Sequence, residues 1–156
     1  MDIKKCSEPY QLERYSFLWS QARLIIAAVA LFIGGIPPVL AFNPIPAFYG
    51  VLRALLVVAW IISGTASGYM LYRWNSLYGW NSGQRTLFGG KAPLDTAAFF
   101  VSVVSGLNLG IAGLLGTNIG MSISSNRFIF AITALLYLAS AVYLFRRWNA
   151  AGQKVF

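Results

Sequence analysis

Two similar segments end long apolar runs of this sequence: Tyr69–Asn75, YMLYRWN, and Tyr143–Asn149, YLFRRWN. The same sequence offset relates Arg53 to Arg127, near the opposite ends of these runs. At the end of a membrane-length helix an indole favours the headgroup level, a guanidinium reaches phosphate or water, and Asn ends the last turn. The pattern predicts an all-α integral membrane protein whose four transmembrane helices form an up-down bundle of two tandem hairpins.

Eight residues are predicted to anchor the helix ends in the headgroup regions. They are Arg73, Trp74, Asn75, Arg147, Trp148 and Asn149 at one side, and Arg53 and Arg127 at the other. An alternative for Arg53 and Arg127 is an inward orientation that forms an anion-attracting vestibule. Because membrane interfaces favour Arg and Trp in general, the similarity of the two segments is compatible with internal duplication and with convergence.

The composition requires a bilayer as solvent. Hydrophobic residues make up 58% of the chain and charged residues 10%, against about 45–50% and about 25% in soluble domains. The net charge is +8, and the basic residues flank the apolar runs. This arrangement favours the anionic inner leaflet as the charged partner, and it argues against nucleic acid.

The predicted organisation places both termini in the cytoplasm, in a cell or inner membrane. A tail at 1–21 precedes a first hairpin at 22–74, whose helices are predicted at about 22–41 and 49–72. A cytoplasmic loop at 75–94 leads to a second hairpin at 95–149, whose helices are predicted at about 95–118 and 127–146. A tail at 150–156 follows. Alternatively, residues 1–41 are a cleaved signal peptide, since basic residues lead into an apolar stretch that ends in Val39–Ala41.

Small residues recur every four positions in two of the predicted helices. Gly64 and Gly68 lie on one helix face, and Ser102, Gly106 and Gly110 lie on another. Small residues let helix backbones approach closely in lipid, so these five residues are predicted to pack helices within the bundle. The alternatives are a seam between copies of the chain or a groove for a lipid, quinone or pigment tail.

Polar residues within the spans are the other candidates for a site. Asn108 is predicted to hydrogen-bond to Ser63, Thr65 or Ser67, and the alternative is that these four residues line a pore. Asp95 is predicted to cap a helix or to favour the positive end of its dipole. Coupling of Asp95 to protons or cations is the alternative.

The sequence predicts no catalytic, metal or cofactor site. It contains no histidine, the single cysteine is Cys6, and no span carries paired carboxylates or a nucleotide-binding motif. These absences remove the usual general base and the commonest metal ligands. Acylation of Cys6 is a minor alternative for that residue.

The predicted function is that of a non-catalytic accessory or scaffold subunit of a larger membrane complex, associating through its glycine-rich helix faces. The alternative is a small oligomeric transporter or channel for an ion or small solute. Transporters place charged or clustered polar groups at membrane depth. The subunit is preferred because the predicted spans carry no charge in their middles.

Overall fold

The structure is a computed structural model that describes residues 9–76, 87–89, 92–123 and 126–156. Predictions that concern Cys6 and most of the 75–94 loop lie outside these residues. The described helices are α1 Pro9–Phe32, α2 Pro38–Ala41, α3 Tyr49–Ser76, α4 Pro93–Leu115, α5 Ile119–Ile123 and α6 Arg127–Ala150, with a 3-10 turn at Pro46–Phe48.

Four of these helices, α1, α3, α4 and α6, are long and apolar enough to cross a membrane. Many of their large apolar side chains point outward, including Ile26, Val58, Val104 and Leu135. Such an apolar exterior is stable in lipid and not in water. The prediction of an all-helical, multi-pass membrane protein is confirmed.

The long helices run up and down, so that the bundle has two different ends. One end carries residues 33–48 and 116–123 and is called the hairpin end. The opposite end, where α1 begins at Pro9 and α6 ends at Ala150, is called the terminal end. The most extensive packing is between α3 and α4 and between α1 and α6, which joins the two halves of the chain.

The first long helix begins much earlier than predicted. Residues 9–21 belong to α1 and are not a separate tail, and the helix ends at Phe32, not near Ala41. Its polar residues Glu13, Ser20, Gln21 and Arg23 are buried against neighbouring helices. These polar residues therefore face other helices and not water, which a hydropathy argument cannot detect.

Local chain signals explain the other helix ends. Pro93 occupies the start of α4, and Gly116 ends that helix in the left-handed region with φ of 71°, as glycine allows. Asn126 caps α6 by accepting a hydrogen bond from the Phe128 backbone N–H at 2.8 Å. After α6 the chain folds back, and Val155 is buried and accepts a 2.9 Å hydrogen bond from the Phe88 backbone N–H.

Candidate functional site

A cavity of about 350 Å³ lies between the four long helices. It extends from residues of the two hairpin-end connections, such as Pro38 and Asn118, to Arg23 and Ser105 inside the bundle. The helices contribute mostly aliphatic and aromatic walls. This volume is at the lower end of the range for small-molecule sites, about 300–1,000 Å³.

Arg23 supplies the charge of this cavity. Its position in α1 is about 21 Å along the helix from Pro9 and about 14 Å from Phe32, at 1.5 Å per residue. The residue is only 5% exposed. Its Nη1 donates to Ser105 Oγ at 3.1 Å, and its Nη2 donates to the Ser102 backbone oxygen at 2.7 Å. The expectation that the spans lack charge in their middles is therefore wrong for α1.

The positive charge of Arg23 is not neutralised by the described part of the chain. Glu13 and Asp95 are the two side-chain carboxylates within the described ranges, and they pair with Arg73 and Arg147. Ser102 and Ser105 accept hydrogen bonds but bring no negative charge. A buried charge without a counter-charge costs several kcal/mol, as an order of magnitude, in a medium of low polarity.

Gly106 makes room for the guanidinium against α4. A Cβ at this position would lie 2.9 Å from Arg23 Cζ and would overlap Ser67 Oγ. The predicted small-residue ridge of α4 thus includes a residue whose missing side chain accommodates a cation. Ser67 is buried, and its hydroxyl has no hydrogen-bond partner among the described residues.

Ser63 joins two helices at the cavity. Its hydroxyl accepts a 3.0 Å hydrogen bond from Trp19 Nε1 and donates to the Ala59 backbone oxygen at 2.7 Å. Thr65 behaves differently, because it is exposed and donates to the Ile62 backbone oxygen of its own helix at 2.9 Å. Thr65 is not among the cavity-lining residues, so the predicted pore contact does not apply to it.

Asn108 lines the cavity but does not bond to the predicted serines and threonine. Its Nδ2 donates to Asn118 Oδ1 at 2.9 Å, and its Oδ1 accepts from the Ile119 backbone N–H at 3.0 Å. The predicted pairing with α3 is wrong, because the chain folds back after Gly116 and satisfies the amide locally.

Two glycines face each other across the α3–α4 contact. A Cβ on Gly64 would lie 2.6 Å from Gly110 Cα, and a Cβ on Gly110 would lie 2.7 Å from Gly64 Cα. Gly68 departs from the prediction, because a Cβ there would meet nothing within 4 Å. The two glycines of the α3 pair therefore have different surroundings.

The tryptophans of the two similar segments point into the protein. Trp74 and Trp148 are 6% and 3% exposed, so other parts of the protein cover their indoles near the ends of the two helices. Their position at the headgroup level stays a prediction. Trp148 packs on Phe17 with ring centroids 5.5 Å apart, and Trp74 packs on Phe99 at 6.0 Å. Each tryptophan thus contacts a phenylalanine from the other half of the chain.

The preceding arginines form ion pairs near the terminal end. Arg73 Nε donates to Glu13 Oε1 at 2.6 Å. Arg147 binds Asp95 through two hydrogen bonds of 2.9 and 2.8 Å. Asp95 lies in the first turn of α4 without being its cap, since the cap position is occupied by Ala92.

The remaining predicted anchors lie on the surface. Arg53, Asn75, Arg127 and Asn149 are all exposed. None of the four lines the cavity. The inward vestibule considered for Arg53 and Arg127 is therefore not the arrangement found.

Sequence reasoning missed Arg23 as a site residue. Because residues 9–21 are polar on average, the predicted first helix begins at about residue 22, which puts Arg23 at its edge. The useful signal was the spacing of Glu13, Phe17, Ser20, Leu24 and Ala28, all buried on one face of α1. Because these positions are spaced three or four residues apart, they lie on one face of a helix, and that face includes polar residues that contact protein.

Comparison of the chain with protein-family models, curated proteins and solved structures finds no match.

Proposed function

We propose that this protein is a small membrane carrier or channel for a solute that binds in the cavity between the four helices. The observation that carries the proposal is the buried guanidinium of Arg23, which borders the cavity without a carboxylate partner in the described chain. Ionisable residues at such depth mark substrate or ion pathways in membrane proteins. The accessory-subunit prediction depended on spans without internal charge, and α1 does not meet that condition.

We infer that the terminal end faces the cytoplasm. Arg14, Arg73, Arg146, Arg147 and Lys154 belong to that end, whereas Arg53 and Arg127 are the described basic residues near the hairpin end. The excess of basic residues supports this orientation and an interaction with an anionic inner leaflet of a cell or inner membrane. The hairpin end of the cavity would then face outward.

We also infer that the two hairpins arose by duplication of one unit. The ion pairs Glu13–Arg73 and Asp95–Arg147 each join the two long helices of one hairpin. The aromatic contacts Phe17–Trp148 and Phe99–Trp74 are reciprocal between the hairpins. A twofold axis along the membrane normal would relate these pairs, and repeats of this kind occur in carriers whose sites lie between the repeats.

Thiol accessibility tests the passage of a solute without knowledge of its identity. In a Cys6→Ser background, Ser105→Cys places one thiol at the inner part of the cavity. A membrane-impermeant thiol reagent should label it in intact cells and also in inside-out vesicles. Thr65→Cys, which points away from the cavity, is the matched control and should be labelled from neither side.

Labelling of Ser105→Cys from one side alone, or from neither, would contradict a transport pathway. In that case the accessory-subunit function is the next proposal. Sizing of the native complex and identification of stoichiometric unlike chains would then support it, whereas a band that contains this chain alone would exclude it.

A further inference from the structure

We propose that the solute is an amphiphilic anion with a single negative charge, in which a carboxylate-like or sulfonate-like head is attached to a compact apolar body. This inference specifies the ligand of the cavity and rests on the function proposed above. It follows from the charge of the cavity, from the hydrogen-bond donors at Arg23 and from the character of the walls.

The cavity carries one formal charge. Arg23 is the only ionisable acid or base of unit charge at neutral pH among its lining residues, which otherwise are apolar or neutral polar. One monovalent anion would neutralise the guanidinium, whereas a polyvalent anion would leave uncompensated negative charge at membrane depth. The charge balance therefore favours one negative charge on the ligand.

Two hydroxyl groups that could donate to an anionic head line the same cavity as Arg23. The Ser105 hydroxyl accepts from Arg23, and its own O–H donates to no described residue. Tyr137 also lines the cavity, and its hydroxyl has no hydrogen bond within the described chain. A guanidinium with neighbouring hydroxyl donors provides charge-assisted hydrogen bonds to a planar or tetrahedral oxyanion.

The walls between Arg23 and the hairpin end suit an apolar body. Ile26, Leu31, Leu56, Leu109 and Phe130 line this part of the cavity. The amides of Asn108 and Asn118 are engaged with each other. A sugar or another polyhydroxylated solute would lose its hydration here without adequate compensation, whereas an aliphatic or aromatic group would gain by leaving water.

Three probes separate the contributions of head and body. Benzenesulfonate has both, benzenesulfonamide has the body without the charge, and methanesulfonate has the charged head without the ring. Dissociation constants are measured by equilibrium dialysis of the purified full-length protein in an uncharged detergent. We expect benzenesulfonate to bind more tightly than each of the other two probes by about tenfold or more. Benzenesulfonamide lacks the charge that would pair with Arg23, and methanesulfonate lacks the ring that would contact the apolar walls.

Substitutions locate the binding to Arg23. Arg23→Gln should weaken benzenesulfonate binding by about tenfold or more, and Arg23→Lys should retain a measurable part of it because the charge is kept. Arg146→Gln removes the same charge from the exposed surface at the terminal end and should bind as the unmodified protein does. Elution as a single species in size-exclusion chromatography checks that each variant is folded.

Three results would overturn the inference. Equal affinities for benzenesulfonate and benzenesulfonamide, or unchanged binding by folded Arg23→Gln, would exclude an anion at Arg23. Equal affinities for methanesulfonate and benzenesulfonate would exclude the apolar body. If benzenesulfonate binds as expected but Ser105→Cys is labelled from one side alone, the ligand class is retained and transport is contradicted. If Ser105→Cys is labelled from both sides but benzenesulfonate binding does not depend on its charge, transport is retained and the solute is of a different class.

Discussion

The Asp95–Arg147 pair shows how the surroundings of a residue decide its contribution. The Asp95 side chain is 1% exposed, whereas the Arg147 side chain is 36% exposed. Asp95 also accepts a 2.7 Å hydrogen bond from the Tyr143 hydroxyl. Loss of the arginine would leave a carboxylate buried without a counter-charge, but loss of the carboxylate would leave an arginine that can extend to water.

We therefore predict that Arg147→Gln lowers the thermal unfolding midpoint more than Asp95→Asn does. The double variant should be more stable than Arg147→Gln alone, because it removes the unpaired buried charge. Arg146→Gln, at the neighbouring exposed position, is the control and should leave the midpoint nearly unchanged. The prediction fails if the two single variants are equally destabilised, as would occur if Asp95 remained hydrated after loss of its partner.

At the scale of single elements, the α3–α4 crossing depends on glycine at both facing positions. The Cβ of an alanine at Gly64 or Gly110 would approach backbone atoms, and backbone cannot move aside as a flexible side chain can. Gly68 lies on the same helix, one turn away from Gly64, and has open space around its Cα. Substitution of Gly68 is therefore a control for substitution of Gly64 in the same helix.

Gly64→Ala and Gly110→Ala should each destabilise the protein by about 1–3 kcal/mol through overpacking. Gly68→Ala should be neutral or should stabilise by up to about 1 kcal/mol, since alanine is the better helix former. Equilibrium unfolding in mixed detergent micelles measures the three differences. Comparable destabilisation by all three would contradict a specific role for the Gly64–Gly110 contact.

The elements also show how far the sequence alone could predict this structure. The predicted starts of α3 and α6 agree with the structure, but these helices end at Ser76 and Ala150 and not near 72 and 146. Helix α4 spans Pro93–Leu115 and not 95–118, because Gly116 in the left-handed region ends it. The start of α1 could not be derived from hydropathy, because its polar face meets other helices and not water. For the same reason the burial of Arg23 was missed.

The two similar segments predict four spans correctly, but they do not predict which side chains cover Trp74 and Trp148. Their burial depends on Phe99 and Phe17, which come from distant parts of the sequence. No local pattern specifies which helix will cover an indole.

At the scale of the whole molecule, the bundle is held together mainly by contacts between its halves. Helix α3 packs along α4, and α1 packs along α6, more extensively than the helices of either hairpin pack on each other. The reciprocal aromatic contacts add to this association. Neither hairpin encloses the cavity alone, because all four long helices line it.

We predict that a chain divided between residues 76 and 92 assembles from its two co-expressed parts. A tag on the first part should recover the second from detergent extracts. Gly64→Ala should reduce that recovery, whereas Gly68→Ala should not. Recovery of a stable first part without the second would contradict the view that the contacts between the halves hold the bundle together.

We propose that a small anion crosses the membrane through the cavity at Arg23. Efflux of benzenesulfonate from liposomes that contain the purified protein tests this directly, because this permanently charged probe does not cross as a neutral acid. We expect faster efflux with the unmodified protein and with Arg146→Gln than from protein-free liposomes, and little acceleration with Arg23→Gln. Efflux that is no faster with the unmodified protein, or is equally fast with Arg23→Gln, would show that anions do not cross through this cavity.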